Sequence, residues 1–441
     1  MKILILDVYP KKKYRISKDT SGGYGTGNDF GESIIPRILK KLLVNNSKWP
    51  PLFAAYTFSV LRKNGHDVHY KDHLPINFES FELILIVSSI VSHETEIEVI
   101  KKINNKVKIF VIGPFATSNS QKYIKYDLSV IMGEPEFFFL KNNNLPDFFD
   151  KKIITFDQKN LDLDELPYPE YNKMGYDLKK INNLFGRKKT VPMVATRGCP
   201  FSCFKYCVYP LQQGRKVRQR SIRNIIDEIK YWQQNYGVKS ILFRDAVFSI
   251  NRKHTVELCN TLINEKINIE FIAETHLNIL DTELIHLLKK AGLKGIKVGI
   301  ESSSEEVKQE ANRHSASKDD QYLKIKELEK NKIIVSTMFI LGFPADTPET
   351  IMQTINYAKK LNTSYAQFSV WTPYPGTPVY LEYKDKLYTN IMEDFDQYHL
   401  VFKHNIFSRE EIRKYLDKAY FQYYSRINWI IKYLFSKNAL F

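Results

Sequence analysis

Three of the four cysteines in this 441-residue chain, Cys199, Cys203 and Cys207, fall within nine residues. They sit in Arg197-Gly198-Cys199-Pro200-Phe201-Ser202-Cys203-Phe204-Lys205-Tyr206-Cys207, a Cys-x3-Cys-x3-Cys spacing. Four thiolates would close a cubane iron–sulfur cluster, whereas three leave one iron open to a ligand. An open metal position can do chemistry, as an open zinc position does. The spacing therefore points to a catalytic cluster ahead of an electron-transfer one. Zinc is the competing reading, although no His or Cys follows at zinc-finger spacing. A disulfide framework fits poorly, because the chain is long and odd thiols would remain. Cys259 stands alone in a stretch of amphipathic helical spacing and reads as a buried structural thiol.

The elements that must position these thiols repeat a strand–helix pattern from residue 191 onward. Strands are predicted at 191–196, 240–243, 269–273, 295–299, 334–341 and 366–371. Helices are predicted at 223–235, 281–291, 319–331 and 347–361. Six such units predict a partial (β/α)6 TIM-like barrel, whose chemistry gathers at the carboxyl ends of the strands. The cysteines follow the first strand. Asp245, Glu274 and Glu301 with Ser302 end the next three.

The first 140 residues also alternate, with strands at 2–8, 67–70, 83–88, 107–112 and 128–132. A helix at 51–63 stops at Asn64-Gly65, and another covers 93–102. This half predicts an α/β fold, a doubly wound parallel sheet that binds ligands at its strand ends. Between its first strand and first clear helix, residues 21–31 hold five glycines. Such a loop lets the backbone approach a ligand closely. It is not a P-loop, since no Gly-Lys-Ser/Thr follows; it either lines a pocket or is a mobile surface loop. Residues 141–190 read as a linker, with the Asn142-Asn143-Asn144 breaker and a Pro-stiffened segment at 163–171. The domain boundaries expected are thus 1–140, 141–190, 191–385 and a helical C-terminal extension at 386–441. In that extension Ser408 and Glu411 form a capping box. The Tyr-, Arg- and Lys-rich helix after it should pack over the barrel mouth or bottom, with a membrane surface as the alternative.

Composition frames these readings. Hydrophobic content of 43% and aromatic content of 13% are globular values, enough for two or three cores. No apolar run approaches the roughly 18 residues of a membrane span. The first apolar run meets Asp7 at once, unlike a secretion signal. A cytoplasmic location, where thiols stay reduced, is expected. The net charge of +16 allows a nucleic-acid, anionic-lipid or phosphorylated partner. Lys, Asn and Ile are abundant throughout, so the excess also fits compositional drift.

Both halves resemble a known family. Residues 50–52, Leu61-Arg62-Lys63-Asn64-Gly65-His66-Asp67-Val68, Val111-Ile112-Gly113-Pro114 and Ile131-Met132-Gly133-Glu134-Pro135-Glu136 look like the cobalamin-binding domain of radical-SAM enzymes. Gly299-Ile300-Glu301-Ser302, Phe339-Ile340-Leu341-Gly342-Phe343-Pro344 and Thr372-Pro373-Tyr374-Pro375-Gly376-Thr377-Pro378 match, in order, segments of the cobalamin-linked members. The resemblance covers roughly residues 1–385. It departs twice. The family's usual spacing is Cys-x3-Cys-x2-Cys. The Asp-x-His-x-x-Gly cobalt motif is replaced by Asp7-Val8-Tyr9-Pro10-Lys11-Lys12, with Tyr9 where His is expected. His69 falls on the second strand and reads as structural.

The resemblance implies that Cys199, Cys203 and Cys207 hold a [4Fe–4S] cluster whose free iron chelates S-adenosylmethionine. It places the Tyr206 backbone near the adenine, Asp245 at the methionine amino group, and Glu301 with Ser302 at the ribose. A carboxylate suits an ammonium, and its oxygens accept from hydroxyls. Gly113, Gly133 and Glu134 would contact cobalamin, held without a protein nitrogen on cobalt. The implied activity is radical cleavage of S-adenosylmethionine and methylation of an unactivated carbon in a small-molecule or lipid-like substrate. An electron donor of flavodoxin or ferredoxin type would serve it. Ring formation or oxidation, RNA modification, and a non-catalytic sensor are the alternatives. No RNA-binding appendix is evident, so a nucleic-acid partner is not expected; peripheral membrane contact is allowed.

Overall fold

The computed structural model describes residues 1–44, 49–103, 106–178 and 189–435. The connector residues 179–188 and the last residues of the C-terminal extension, 436–441, lie outside the described residues. Two six-stranded parallel sheets organise the chain.

The N-terminal sheet contains β1 (Lys2–Leu6), β2 (Asp67–Lys71), β3 (Leu83–Val87), β4 (Lys108–Ile112), β5 (Ser129–Ile131) and β6 (Ile153–Ile154), in the order β2-β1-β3-β4-β5-β6. Every residue of β3 is buried, as helices covering both faces of a parallel sheet require. The order reverses between β1 and β3, which sets the switch point at the ends of those strands. The helix Leu52–Lys63 ends at Asn64 and Gly65. Gly65 takes φ +86°, the left-handed turn that closes a helix. One expectation needs correction: β6 falls in the stretch 141–190 read as a linker. Two residues with turns on either side are too short for a periodic signal.

The second sheet follows as β7 (Thr190–Met193), β10 (Ser240–Phe243), β11 (Glu270–Thr275), β12 (Leu293–Glu301), β13 (Ile334–Leu341) and β14 (Tyr365–Val370), neighbours in chain order. This is the partial (β/α)6 barrel, open between β14 and β7. Between β7 and β10 the short pair β8 (Thr196–Arg197) and β9 (Arg218–Gln219) runs antiparallel. The first predicted barrel strand is therefore two pieces: it breaks after Met193 and re-forms as β8 outside the barrel.

The helix Arg409–Tyr424 of the C-terminal extension packs on the open edge of the barrel, while residues 397–404 pack at the carboxyl ends of β13 and β14. That helix starts at the expected capping box of Ser408 and Glu411. The Tyr420 and Tyr424 hydroxyls donate to the carbonyls of Phe368 and Ala366 at 2.9 and 2.7 Å and face the N–H groups of the same residues. The Tyr423 hydroxyl donates to the Thr363 carbonyl. An edge strand exposes unpaired backbone groups that invite other chains. Here tyrosines on one helical face satisfy β14. Among the described residues no helix is long and apolar enough to cross a membrane.

Candidate functional site

The cysteine loop leaves the barrel through residues 194–198, and three contacts fix it there. The Asp245 carboxylate, just past β10, accepts from the Ala195 N–H, the Thr196 N–H and the Thr196 hydroxyl. Burial pushes its acid up to about 6, against the pull of those donors. Gly198 takes φ +95°, and a Cβ there would stand 2.2 Å from the Lys216 carbonyl oxygen, so only glycine passes. Arg197 is buried and pairs with both Glu134 and Glu136, while Arg218 pairs with Glu134. The Arg197 guanidinium also lies 5.3 Å over the Tyr56 ring. Two carboxylates of the N-terminal half thus clamp β8 and β9, which flank the cysteines.

The three thiols converge at the carboxyl end of the barrel. Cys203 and Cys207 share a hydrogen bond. That bond, then the nearby Arg313 charge, brings the Cys203 thiol down to about 7 despite burial. Burial raises Cys199. Cys259 lies in the main core and burial pushes it up to about 12, so it is a structural thiol. Among the described residues, no three His, Cys, Asp or Glu side chains close on one metal ion. A cubane needs no such closure, because each thiolate binds its own iron.

Opposite the cysteines, β12 ends in a strained turn. The pairing of β12 with β13 slips between Gly299 and Glu301, and Glu301 takes φ +66°. A non-glycine residue in that region signals a local cost retained for a purpose. The turn aims the carboxylate at Arg313, Oε1 to Nη2 3.2 Å. Arg313 also donates to the Gly299 carbonyl. A Cβ on Gly299 would lie 2.4 Å from Glu301 Oε1, so this glycine makes room for the pair. Sequence reasoning missed Arg313, because one cation in a chain with many carries no spacing signal. The same holds for the Arg197–Glu134–Glu136–Arg218 network.

The remaining expected residues divide. Tyr206 closes the turn on the Cys203 carbonyl and lines a cleft of about 480 Å³ with Val307, Phe343, Trp371 and Tyr383. Ser302 does not face this cleft: its hydroxyl accepts from the Ser304 N–H and meets Thr354 on the helix Pro348–Leu361. It holds the turn after Glu301. Asp245 holds the loop backbone, mostly through Oδ1. Gly133, at the end of β5, takes φ +91°, donates its N–H to Thr117 and accepts at its carbonyl from Gln212. Gly113, at the end of β4, takes φ +114° beside Phe53. Glu134 is spent on Arg197 and Arg218 rather than open to a ligand.

A second cleft, about 510 Å³, lies between the two halves. Asp19, Gly22 and Gly23 of the glycine loop, Phe53, and Arg197, Tyr209, Gln212 and Arg244 from the barrel side line it. The loop is packed rather than mobile: the Tyr24 hydroxyl donates to the Pro375 carbonyl at 2.8 Å, and the Gly27 N–H to that of Asp396. Glycine backbone on one wall and no histidine among the lining residues fit a large flat cofactor held without an imidazole. Tyr9 is turned inward, its hydroxyl donating to Asp7 at 3.0 Å. Lys18 joins Asp7 and Glu96 at 3.0 Å each, so the switch point itself is filled by a buried ion network. His69 is on the sheet edge beside Asp67, and His93 is buried against Tyr123.

Comparison with known proteins gives a concordant picture. Residues 193–358 match the model of the Radical SAM superfamily. An uncharacterized methyltransferase of Pyrococcus horikoshii is 28% identical over 92% of this chain and 94% of its own. Bacteriochlorophyllide d C-12(1)-methyltransferase of Chlorobaculum tepidum is 25% identical over 75% of this chain and 72% of its own. The radical S-adenosylmethionine methyltransferase TsrM of Kitasatospora setae, solved with cobalamin and a [4Fe–4S] cluster, shares the fold. Its TM-score is 0.59 at 15% identity, over 87% of this chain and 78% of TsrM.

Proposed function

We propose that the chain, whose residues 193–358 match the Radical SAM superfamily model, is a cobalamin-dependent radical SAM methyltransferase acting on an unactivated carbon of a small or lipid-like molecule. The observation that carries this reading is the meeting of three thiols with the Glu301–Arg313 pair at one end of the barrel. Cys199, Cys203 and Cys207 would hold a [4Fe–4S] cluster. When bound and reduced, that cluster supplies the one-electron cleavage of S-adenosylmethionine to a 5′-deoxyadenosyl radical.

The chain's own residues then bind and orient. Glu301 offers carboxylate oxygens to ribose hydroxyls, and the Arg313 fork matches a carboxylate. The Tyr206 backbone lies beside the third thiol, where the adenine is expected. Asp245 acts through the loop: by holding Ala195 and Thr196 it fixes where Cys199 starts. The glycine loop and the residues around Gly113 and Gly133 would face cobalamin, with no imidazole offered to cobalt. The methyltransferase relatives and the cobalamin bound by TsrM support this choice among radical chemistries. An electron donor of flavodoxin or ferredoxin type is implied, because the cluster must be reduced from outside.

The test is anaerobic reconstitution with iron, sulfide and hydroxocobalamin. It is followed by a strong reductant and S-adenosylmethionine bearing a labelled methyl group. Production of 5′-deoxyadenosine, with label appearing on cobalamin, supports the reading. A loaded cluster that leaves S-adenosylmethionine intact sinks it.

A further inference from the structure

Arg244 and Asp19 line the cleft between the halves, and beside them the barrel lumen carries Lys297 and Glu274, charges that the cofactor reading does not use. Side chains alternate along the barrel strands. Phe243, Phe271, Ala273, Ile296 and Val298 face the helices and belong to the main core. Their neighbours face inward. Leu242, Ile272, Ile334 and Tyr365 form a separate small apolar cluster that closes the floor. One step along the same strands come Arg244 after β10 and Glu274 on β11. Lys297 on β12 stands directly opposite Glu274 in register.

The glycine-loop segment adds Asp19, whose Oδ2 lies 3.1 Å from Arg244 Nη2, and Arg15. Lys297 feels the charge of each of the other four groups. Of the five, three are cations and two are carboxylates. The Lys297 side chain makes no hydrogen bond or ion pair among the described residues, and neither does that of Glu274, although the two stand side by side on neighbouring strands. An ammonium removed from water costs free energy unless an anion meets it. A strand-borne lysine that makes no ion pair with the neighbouring carboxylate keeps its charge for such an anion to meet. Arg244 uses one nitrogen on Asp19, and the rest of its fork can take a planar or tetrahedral acid group.

We propose that the substrate carries an acidic group, a carboxylate or a phosphate, seated in the lumen between Lys297 and Arg244. The proposal rests on the barrel being the reaction site. It adds the class of substrate: an organic acid or phosphate ester rather than a neutral hydrocarbon. The acid group lies two inward positions before Glu301 along β12, with Gly299 between, which would leave the rest of the molecule pointing toward the cysteines.

The test uses the reconstituted full-length protein with two probes, inorganic phosphate and succinate, at ionic strength fixed with chloride. Lys297 is labelled in the wild type with acetic anhydride and its modification is read by peptide mass spectrometry. One probe or both should protect it in a saturable way, and the more protective probe identifies the acid group. Titration calorimetry should show that binding weakened about tenfold or more in Lys297→Met, the size of a lost charged hydrogen bond. Lys297→Arg should recover it, and the distant Lys326→Met should not change it. S-adenosylmethionine binding, measured in parallel, should be the same in all variants. No saturable protection by either probe overturns the proposal. So does protection by S-adenosylmethionine alone, since Lys297 would then serve the cofactor. If the probes protect Lys297 but S-adenosylmethionine does not bind the wild type, the radical reading fails and the anion site stands.

Discussion

Glu134, at the end of the N-terminal sheet, and Arg197, two residues before the first cysteine, form a buried ion pair that ties the halves of the chain together. Both are almost wholly out of solvent, and Glu136 and Arg218 complete the network. Removing one member of a buried pair leaves the other charge stranded, at a cost of about 3–5 kcal/mol. Glu134→Ala should therefore lower thermal stability and reduce iron incorporation together. Differential scanning calorimetry and iron analysis check this. Full iron loading at unchanged stability would dissociate the network from the cluster loop.

Alanine at Cys199, Cys203 or Cys207 should abolish a cluster of about four irons in reconstituted protein. Cys259→Ala should keep it, at a cost of no more than a small core cavity. Absorption and electron paramagnetic resonance spectra, with iron and sulfide counts, give the answer. Loss in the Cys259 variant alone would reassign the ligands.

Glu301→Gln and Arg313→Gln should each weaken S-adenosylmethionine binding by about 1–3 kcal/mol, the range for a hydrogen bond to a charged group. Gly299→Ala should do the same without touching either charge, since its Cβ would occupy the place of Glu301 Oε1. Equilibrium dialysis of the three variants tests the pair and its seat. Unchanged affinity in all three would remove Glu301 and Arg313 from the site.

Cobalamin added to the protein should show a spectrum without nitrogen ligation from the chain. His69→Ala should leave that spectrum alone, because His69 lies on β2 paired to Asp67 and outside the cleft. A change in that variant would move the cofactor to the sheet edge.

Acid should destabilise the N-terminal half through His93. Burial holds its imidazole down to about 3, against an ordinary value of 6.5. A depressed basic group is neutral in the fold, while the unfolded chain takes up the proton. The His93 contribution is therefore intact above pH 6.5 and is lost as pH falls from 6.5 toward 3, with a limiting slope of about 1.4 kcal/mol per pH unit. His93→Gln should flatten this part of the denaturation profile, measured by urea titration at several pH values. An identical slope in the variant would assign the acid sensitivity to other groups.

Much of this molecule was legible in one dimension. The alternation of apolar runs and helical spacing located the strands of both sheets apart from the two-residue β6, because a buried parallel strand and a capped helix write local, periodic signals. Cys199, Cys203 and Cys207 declared themselves by spacing, and Ser408 with Glu411 by a capping pattern that acts within one turn. Long-range pairings left no such mark. Arg313 reaches Glu301 only because β12 bulges and turns its last residue to φ +66°. Arg197 finds Glu134 only because two sheets meet. The Ala195 and Thr196 donors that meet Asp245 lie some fifty positions away in sequence, and only the fold brings them to it. Ser302 was drawn toward Thr354 in the same way. Sequence periodicity determined which elements exist and at which strand ends the chemistry gathers. Which charges face one another there, and which are already satisfied, was decided by packing, since a buried charge must be met by whatever the tertiary structure brings within reach.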